Sequence, residues 1–152
     1  MACKPLYSAA FSLILVFASN ARSQTITDGD TIRLNGTTYR LWGIDAPEKG
    51  QWCGTYPAGI TAEGTLEMLM RGKSISCEPR TTDRYGRTVA LCTADGEDLG
   101  KAMVQSGMAW AFVRYSHDYA AVEAQAKQEN IGIHAHGCQP AWEWRAAARE
   151  RK

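Results

Sequence analysis

Alternation of apolar and polar positions is clearest between residues 31 and 44. Two such runs, 31–34 (TIRL) and 38–44 (TYRLWGI), flank Asn35-Gly36, the strongest short-range signal for a two-residue hairpin turn. That turn predicts a register with Leu34 opposite Thr37, Thr31 opposite Arg40 and Asp30 opposite Leu41, so that Asp30 and Arg40 become diagonal neighbours. A carboxylate and a guanidinium would then meet at one end of the hairpin. Beyond it the chain passes Gly43, reaches Asp45 and turns at Ala46-Pro47 to present Glu48. Strict alternation puts Arg40 and Asp45 on opposite faces, so a bend or bulge near Gly43 is required if both serve one site.

Only residues 24–28 precede this stretch as a short opening strand. Residues 49–57 hold Gly50, Gly54 and Pro57 and read as a surface loop. Ala62, Leu66, Leu69 and Met70 recur at helical spacing, predicting a helix over 58–71 that Gly72 stops, although Gly59 and Gly64 weaken it. Residues 74–77 and 88–93 predict a second hairpin that ends at the Asp95-Gly96 turn. Asp98 is placed to cap a helix over 99–106, residues 108–113 are apolar and extended, and 119–129 predicts an amphipathic helix ended by Gly132. The tail carries Pro140, Trp142 and Trp144, and its basic run 145–152 predicts a solvated terminal helix. Three strands, a helix, two strands and further helices match an α+β fold: a five-stranded oligonucleotide-binding (OB) barrel with about three helices. Fold alone does not establish activity.

A chain of 152 residues suits one domain with one sizeable core. Residues 1–23 carry Lys4, an apolar run over 13–18 and then small residues, the order of a secretory signal and too short an apolar run to span a bilayer. The expected organisation is therefore a signal peptide over 1–23, one OB-fold domain over 24–137 and a helical tail over 138–152. The expectation is an exported protein, periplasmic or secreted, monomeric and without stable membrane association once the signal is cleaved. Loss of Lys4 and Arg22 leaves 15 basic residues against 16 acidic, so a broad electrostatic face for polyanions is excluded. Contact with a polyanion would have to be local, through Arg40, Arg80, Arg84 and Arg87. Without Cys3, four cysteines remain, an even number that suggests two disulfides in an exported chain. Cys77 opposite Cys92 in the second hairpin would lie within disulfide reach. The same register puts Thr82 opposite Arg87 and leaves 83–86 as a four-residue loop. Cys53 with Cys138 follows by elimination.

Asp30 and Asp45 are hard oxygen ligands from two strand ends, and the Ala46 carbonyl could add a third. Calcium takes about six to eight oxygens, so water and a substrate phosphate would complete the shell and leave an open position for chemistry. The plainer roles are a turn cap for Asp30 and a loop hydrogen bond for Asp45. Glu48, after Pro47, is placed to take a proton from an attacking water, or is simply an exposed loop charge. Arg40 and Arg87 offer planar forks that match two phosphate oxygens, or else an internal ion pair and a solvated turn residue. Tyr85 and Tyr115 could stack on a base or belong to the core. His134 and His136 have a ligand-like spacing but read as surface residues.

The segments DGDT (28–31), YRLWGIDAPE (39–48) and DRYGR (83–87), with their spacings, resemble the signature segments of the staphylococcal nuclease (thermonuclease) family, over residues 25–132. The resemblance implies the OB barrel and a Ca2+-dependent endonuclease that hydrolyses DNA and RNA with little sequence preference, by in-line attack of water, leaving 3′-phosphates. It implies Ca2+ bound through Asp30, Asp45 and the Ala46 carbonyl, Arg40 and Arg87 as transition-state clamps, Glu48 as the base and Tyr115 at a base-contacting position. The chain departs from the family pattern at Ala46, often Thr, at Val113, often aromatic, and at His134, commonly Trp. Trp110 or Tyr119 could carry the base contact that Val113 lacks.

Overall fold

Asn35 and Gly36 both take positive φ, 51° and 86°, as a tight hairpin turn requires. The flanking strands, β2 (Thr31–Leu34) and β3 (Thr37–Leu41), pair with Leu34 opposite Thr37 and Thr31 opposite Arg40. The Leu41 N–H donates to the Asp30 carbonyl at 2.8 Å, so the register predicted from the turn extends to Asp30. These relations come from a computed structural model that describes residues 24–151. The expected signal peptide lies outside the described residues. Among those residues no helix is long and apolar enough to cross a membrane.

The fold is mixed α+β. The opening strand β1 (Gln24–Asp28) pairs antiparallel with β2. On the other side β3 runs parallel to β6 (Thr88–Ala94), and β6 pairs antiparallel with β5 (Ile75–Thr82), giving the path β1-β2-β3-β6-β5. A short β7 (Glu97–Asp98) adds to β6, and β4 (Ile44–Asp45) pairs separately with β8 (Trp110–Ala111). Among the described residues no pairing joins β5 back to β1, so the five-strand path is open rather than a closed barrel. The helices are α1 (Ala58–Met70), α2 (Leu99–Gln105), α3 (Ala120–Gln128) and α4 (Ala141–Glu150). As its sequence predicts, Asp98 caps α2 by accepting the Lys101 N–H at 3.1 Å.

Ile32, Leu41 and Ile44 from the strands meet Leu66 and Met70 of α1 and Leu99, Met103 and Val104 of α2 in one buried cluster. A second cluster of Ala58, Trp110, Ile133 and Ala141 seats the start of α4. Trp110 and Tyr119 are both buried, at 3% and 5% exposure, and the Tyr119 hydroxyl donates to Asp98 at 2.8 Å. Neither is free to carry a base contact.

Cys77 faces Cys92 across β5 and β6, and the two form a disulfide, as do Cys53 and Cys138. The far end of this hairpin differs from the expected register. Pairing shifts between Pro79 and Thr81, so Thr82 faces Thr88 rather than Arg87 and the loop gains a residue. Pro79 has no N–H to give the ladder, and proline in a strand is found at an edge or a bulge; β5 offers both. The strand also continues to Thr82 instead of stopping at Cys77.

Replacing Cys77 and Cys92 together by alanine removes a cross-link with a sequence separation of 15. The expected loss is about 3 kcal/mol of unfolding free energy in urea titrations. An unchanged midpoint would rule out a stabilising role for this bridge.

Candidate active site

The site is organised around one largely enclosed guanidinium. Arg40 Nη1 contacts Asp30 Oδ2 at 2.6 Å, and its Nη2 contacts Asp45 Oδ1 at 2.7 Å and donates to the Ile44 carbonyl at 3.2 Å. The chain brings Asp45 to Arg40 by bending at Gly43, whose φ of 69° is disfavoured for a residue with a side chain. Pairing of β4 with β8 then holds Asp45 opposite Trp110. Asp30 also accepts from the Thr31 hydroxyl at 2.9 Å and from the Ala46 N–H at 3.3 Å.

Burial works against charge on both aspartates. At Asp30 it is outweighed by the Arg40 guanidinium and by hydrogen bonds, so the carboxyl sits below its ordinary value. At Asp45 burial prevails over its arginine partners and the carboxyl is pushed up. Asp28, next to this group, is raised to about 7, first by burial and then by the neighbouring Asp30 charge. Its ionisation thus changes near neutral pH.

Glu48 follows on the loop after Pro47, and three contacts hold its backbone. Its N–H donates to the buried Gln51 side chain at 3.2 Å, and its carbonyl accepts the Gln51 N–H at 2.7 Å. Gly59 packs against that same carbonyl so closely that a Cβ there would lie 1.9 Å from the oxygen. The glycine that weakens the α1 pattern therefore gives the Glu48 loop its seat.

Across the cavity, Asp83 shapes the β5–β6 turn. Its Oδ1 accepts the N–H groups of Tyr85 and Arg87, both at 2.9 Å, and its Oδ2 accepts Arg87 Nε at 2.7 Å. Burial is the largest single influence on Asp83 and opposes its ionisation, but its bonds to Arg87 and Tyr85 together outweigh it and hold the carboxyl below the usual value. Arg84 and Arg87 both lie against the Tyr85 ring, 4.8 and 5.6 Å from its centroid. Asp30, Arg40, Ala46, Glu48, Arg84, Tyr85, Arg87 and Tyr115 all line one cavity of about 1010 Å³, with Asp45 just beneath it. The two tyrosines are 68% and 71% exposed, so both are open to a ligand.

The tail does not behave as a solvated helix. Its α4 lays Trp142, Arg145, Ala146 and Arg149 along the same cavity. Arg145 Nη1 donates to Glu48 Oε1 at 2.6 Å and to Asp45 Oδ1 at 3.1 Å, and Nη2 donates to Asp45 Oδ2 at 2.9 Å. The i, i+3, i+4, i+7 spacing of those four residues was the available signal, because it marks a single helical face. Phe112, also unassigned by the sequence reading, packs 5.5 Å from Trp142 and 5.1 Å from Tyr115, so an aromatic group stands where Val113 departs from the family pattern. His134 and His136 do not converge: His136 stacks on Tyr56, while His134 Nε2 is enclosed without a partner.

The donors around Arg40 suit a hard cation in kind, because Asp30 and Asp45 both offer carboxylate oxygen, although each is also paired with Arg40. They do not make a complete cage: among the described residues no three His, Cys, Asp or Glu side chains converge. Any bound cation would take much of its shell from water and substrate.

The family model described as staphylococcal nuclease homologue matches residues 38–136. The chain belongs to this family. Over 136 residues it is 33% identical to a Haemophilus influenzae protein described as an uncharacterized endonuclease, covering 80% of this chain and 74% of that one. Similarity to a micrococcal nuclease of Shigella flexneri is 32% over 142 residues, covering 82% and 79% of the two chains. An Escherichia coli protein, also described as an uncharacterized endonuclease, is 31% identical over 150 residues, with 93% and 95% covered. The matched region of the family model includes Arg40, Asp45, Glu48 and Arg87 and stops before Arg145.

The bond from Asp83 to Arg87 sets a pH dependence. Asp83's folded-state pKa lies below its ordinary 3.8, so its contribution to stability is complete above that value and is lost as pH falls through the lowered one. In urea denaturation across pH, wild type should exceed Asp83→Asn by a constant margin above about pH 5 and by a shrinking one below about pH 4. A margin that grows on acidification would contradict the assigned pairing.

Proposed function

We propose that this member of the nuclease family is a Ca2+-dependent endonuclease that hydrolyses phosphodiester bonds of DNA and RNA with little sequence preference. The observation that carries the reading is the convergence of Asp30, Arg40, Glu48 and Arg87 on one cavity from two hairpins and a loop, with Asp45 bonded to Arg40 behind them. Asp30, Asp45 and the Ala46 carbonyl would hold the cation, which when bound supplies Lewis-acid polarisation of a phosphoryl oxygen. Arg87 reaches the cavity from the opposite wall, and Asp83, bonded to its Nε, leaves both terminal nitrogens for phosphate oxygens. Arg40, fixed by two carboxylates, contributes a permanent positive charge where the five-coordinate phosphorus gains negative charge. Glu48 takes a proton from the water whose oxygen bonds to phosphorus. The bond from phosphorus to the 5′-oxygen breaks, leaving a 3′-phosphate and a 5′-hydroxyl that takes its proton from solvent.

Arg84 and Tyr85 on one rim, and Tyr115 with Phe112 and Trp142 on the other, offer a cation and aromatic faces to any base, consistent with low sequence preference. Two disulfides support export to an oxidising compartment.

The deciding assay incubates purified protein with single-stranded DNA in Ca2+ or in chelator. Cleavage is expected only with Ca2+, and metal-independent binding without cleavage would replace the enzyme by a binding module. Glu48→Gln and Arg87→Ala should each lower turnover by about two to three orders of magnitude with the fold intact. A correctly folded variant at the wild-type rate would remove that residue from the mechanism.

A further inference from the structure

Asp45 has no free oxygen. Its Oδ1 is taken by Arg40 at 2.7 Å and by Arg145 at 3.1 Å, and its Oδ2 by Arg145 at 2.9 Å. The same Arg145 fork engages Glu48 at 2.6 Å. A divalent ion bonds carboxylate oxygens at about 2.3–2.6 Å, which is the space the Arg145 nitrogens now fill, and a guanidinium in contact with that ion would repel it. Arg145 and a cation therefore compete for Asp45. We infer that Arg145 is a resident counter-cation, which neutralises Asp45 and Glu48 and competes with a divalent ion for them, so that the ion enters as Arg145 withdraws. This inference rests on the metal site proposed above.

The geometry identifies Arg145, and not Arg40, as the group that moves. Arg40 is enclosed, with 16% of its side chain exposed, and is held by Asp30, Asp45 and the Ile44 carbonyl; Arg145 covers Asp45 and Glu48 from the solvent side with 33% exposed. Its withdrawal leaves the fold in place because α4 is anchored upstream. Cys138 is bonded to Cys53, the Gln139 carbonyl accepts from Gln51 at 2.6 Å, and Ala141 is fully buried. Trp142 stays packed on Trp110 and Phe112, and only the stretch beyond it has to yield. Gln51 is also the residue that holds the Glu48 backbone, so one side chain ties the loop of the base to the root of the helix that blocks it.

The test is calorimetric titration of Ca2+ into chelator-treated, full-length mature protein. Since charge-assisted hydrogen bonds must be broken as the ion enters wild type, Arg145→Gln is expected to lower the Ca2+ Kd by roughly tenfold to a hundredfold. Arg149→Gln, one turn further along the same face, should leave it unchanged, and Asp45→Asn should abolish binding. If Asp45→Asn loses binding while Arg145→Gln binds no more tightly than wild type, counter-cation exchange is overturned and the nuclease reading stands. If wild type and Arg145→Gln both fail to bind Ca2+, the metal site and the inference fall together. A second measurement needs no variant: in guanidinium NMR of wild type, the Arg145 side-chain N–H signals should lose their protection as Ca2+ is added while those of Arg40 keep theirs. Retention of both at saturating Ca2+ would equally overturn the exchange.

Discussion

A largely enclosed arginine shared between two aspartates is the constraint on which the site depends. Arg40 would be costly to bury alone, and so would either carboxylate, because removing one partner of a buried ion pair leaves an uncompensated charge. Together Asp30, Arg40 and Asp45 form a chain of short contacts joining the end of the first hairpin to the strand that follows it. That chain explains local features otherwise unrelated: the left-handed backbone at Gly43, the pairing of the two-residue β4 with β8, and the Ala46 N–H directed at Asp30. The electrostatics are not symmetrical. Asp30, with Thr31 and Ala46 as additional donors, is lowered, whereas Asp45 is raised by burial despite two arginines. Asp45 is thus the carboxylate with most to gain from a stronger counter-charge.

Most of this half of the site was legible in the sequence because a two-residue turn permits few registers. Asn35-Gly36 placed Asp30 beside Arg40, and the parity of the strand required a bend before Asp45; both are found. The second hairpin was legible only in part. Its Cys77–Cys92 pairing follows from strand geometry, but the bulge beyond Pro79 depends on one missing donor at an edge strand, and counting residues from the disulfide passes over it. The five strands were also foreseeable, while their order, the parallel pairing of β3 with β6 and, among the described residues, the absence of pairing between the outer strands are three-dimensional facts that no local pattern encodes.

Arg145 was misread for a different reason. A terminal run rich in Arg, Ala and Glu has the composition of a solvated helix, and composition carries no information about what a helix faces. The partner surface was built by residues about a hundred positions earlier, Asp45 and Glu48. Trp142 and Ala141, buried or packed against Trp110 and Phe112, were the visible sign that one side of this helix had a destination. The reading of Glu48 changes accordingly, because its carboxylate is already engaged within the protein and no longer waits alone at the mouth of a cavity.

The two disulfides also give the covalent chain a topology. Cys53–Cys138 closes a ring spanning 85 positions, and Cys77–Cys92 closes a smaller ring wholly inside it. Asp30, Arg40, Asp45 and Glu48 lie on the arm entering the outer ring, Arg145 lies on the arm leaving it, and Arg87 sits in the inner ring. A protease that cuts the exposed turn between Arg84 and Tyr85 therefore opens the inner ring but leaves the outer one closed through the Cys77–Cys92 bridge, and releases no fragment. In a protease-rich setting the molecule can be nicked at this exposed turn and still hold every residue of its site on one covalent body.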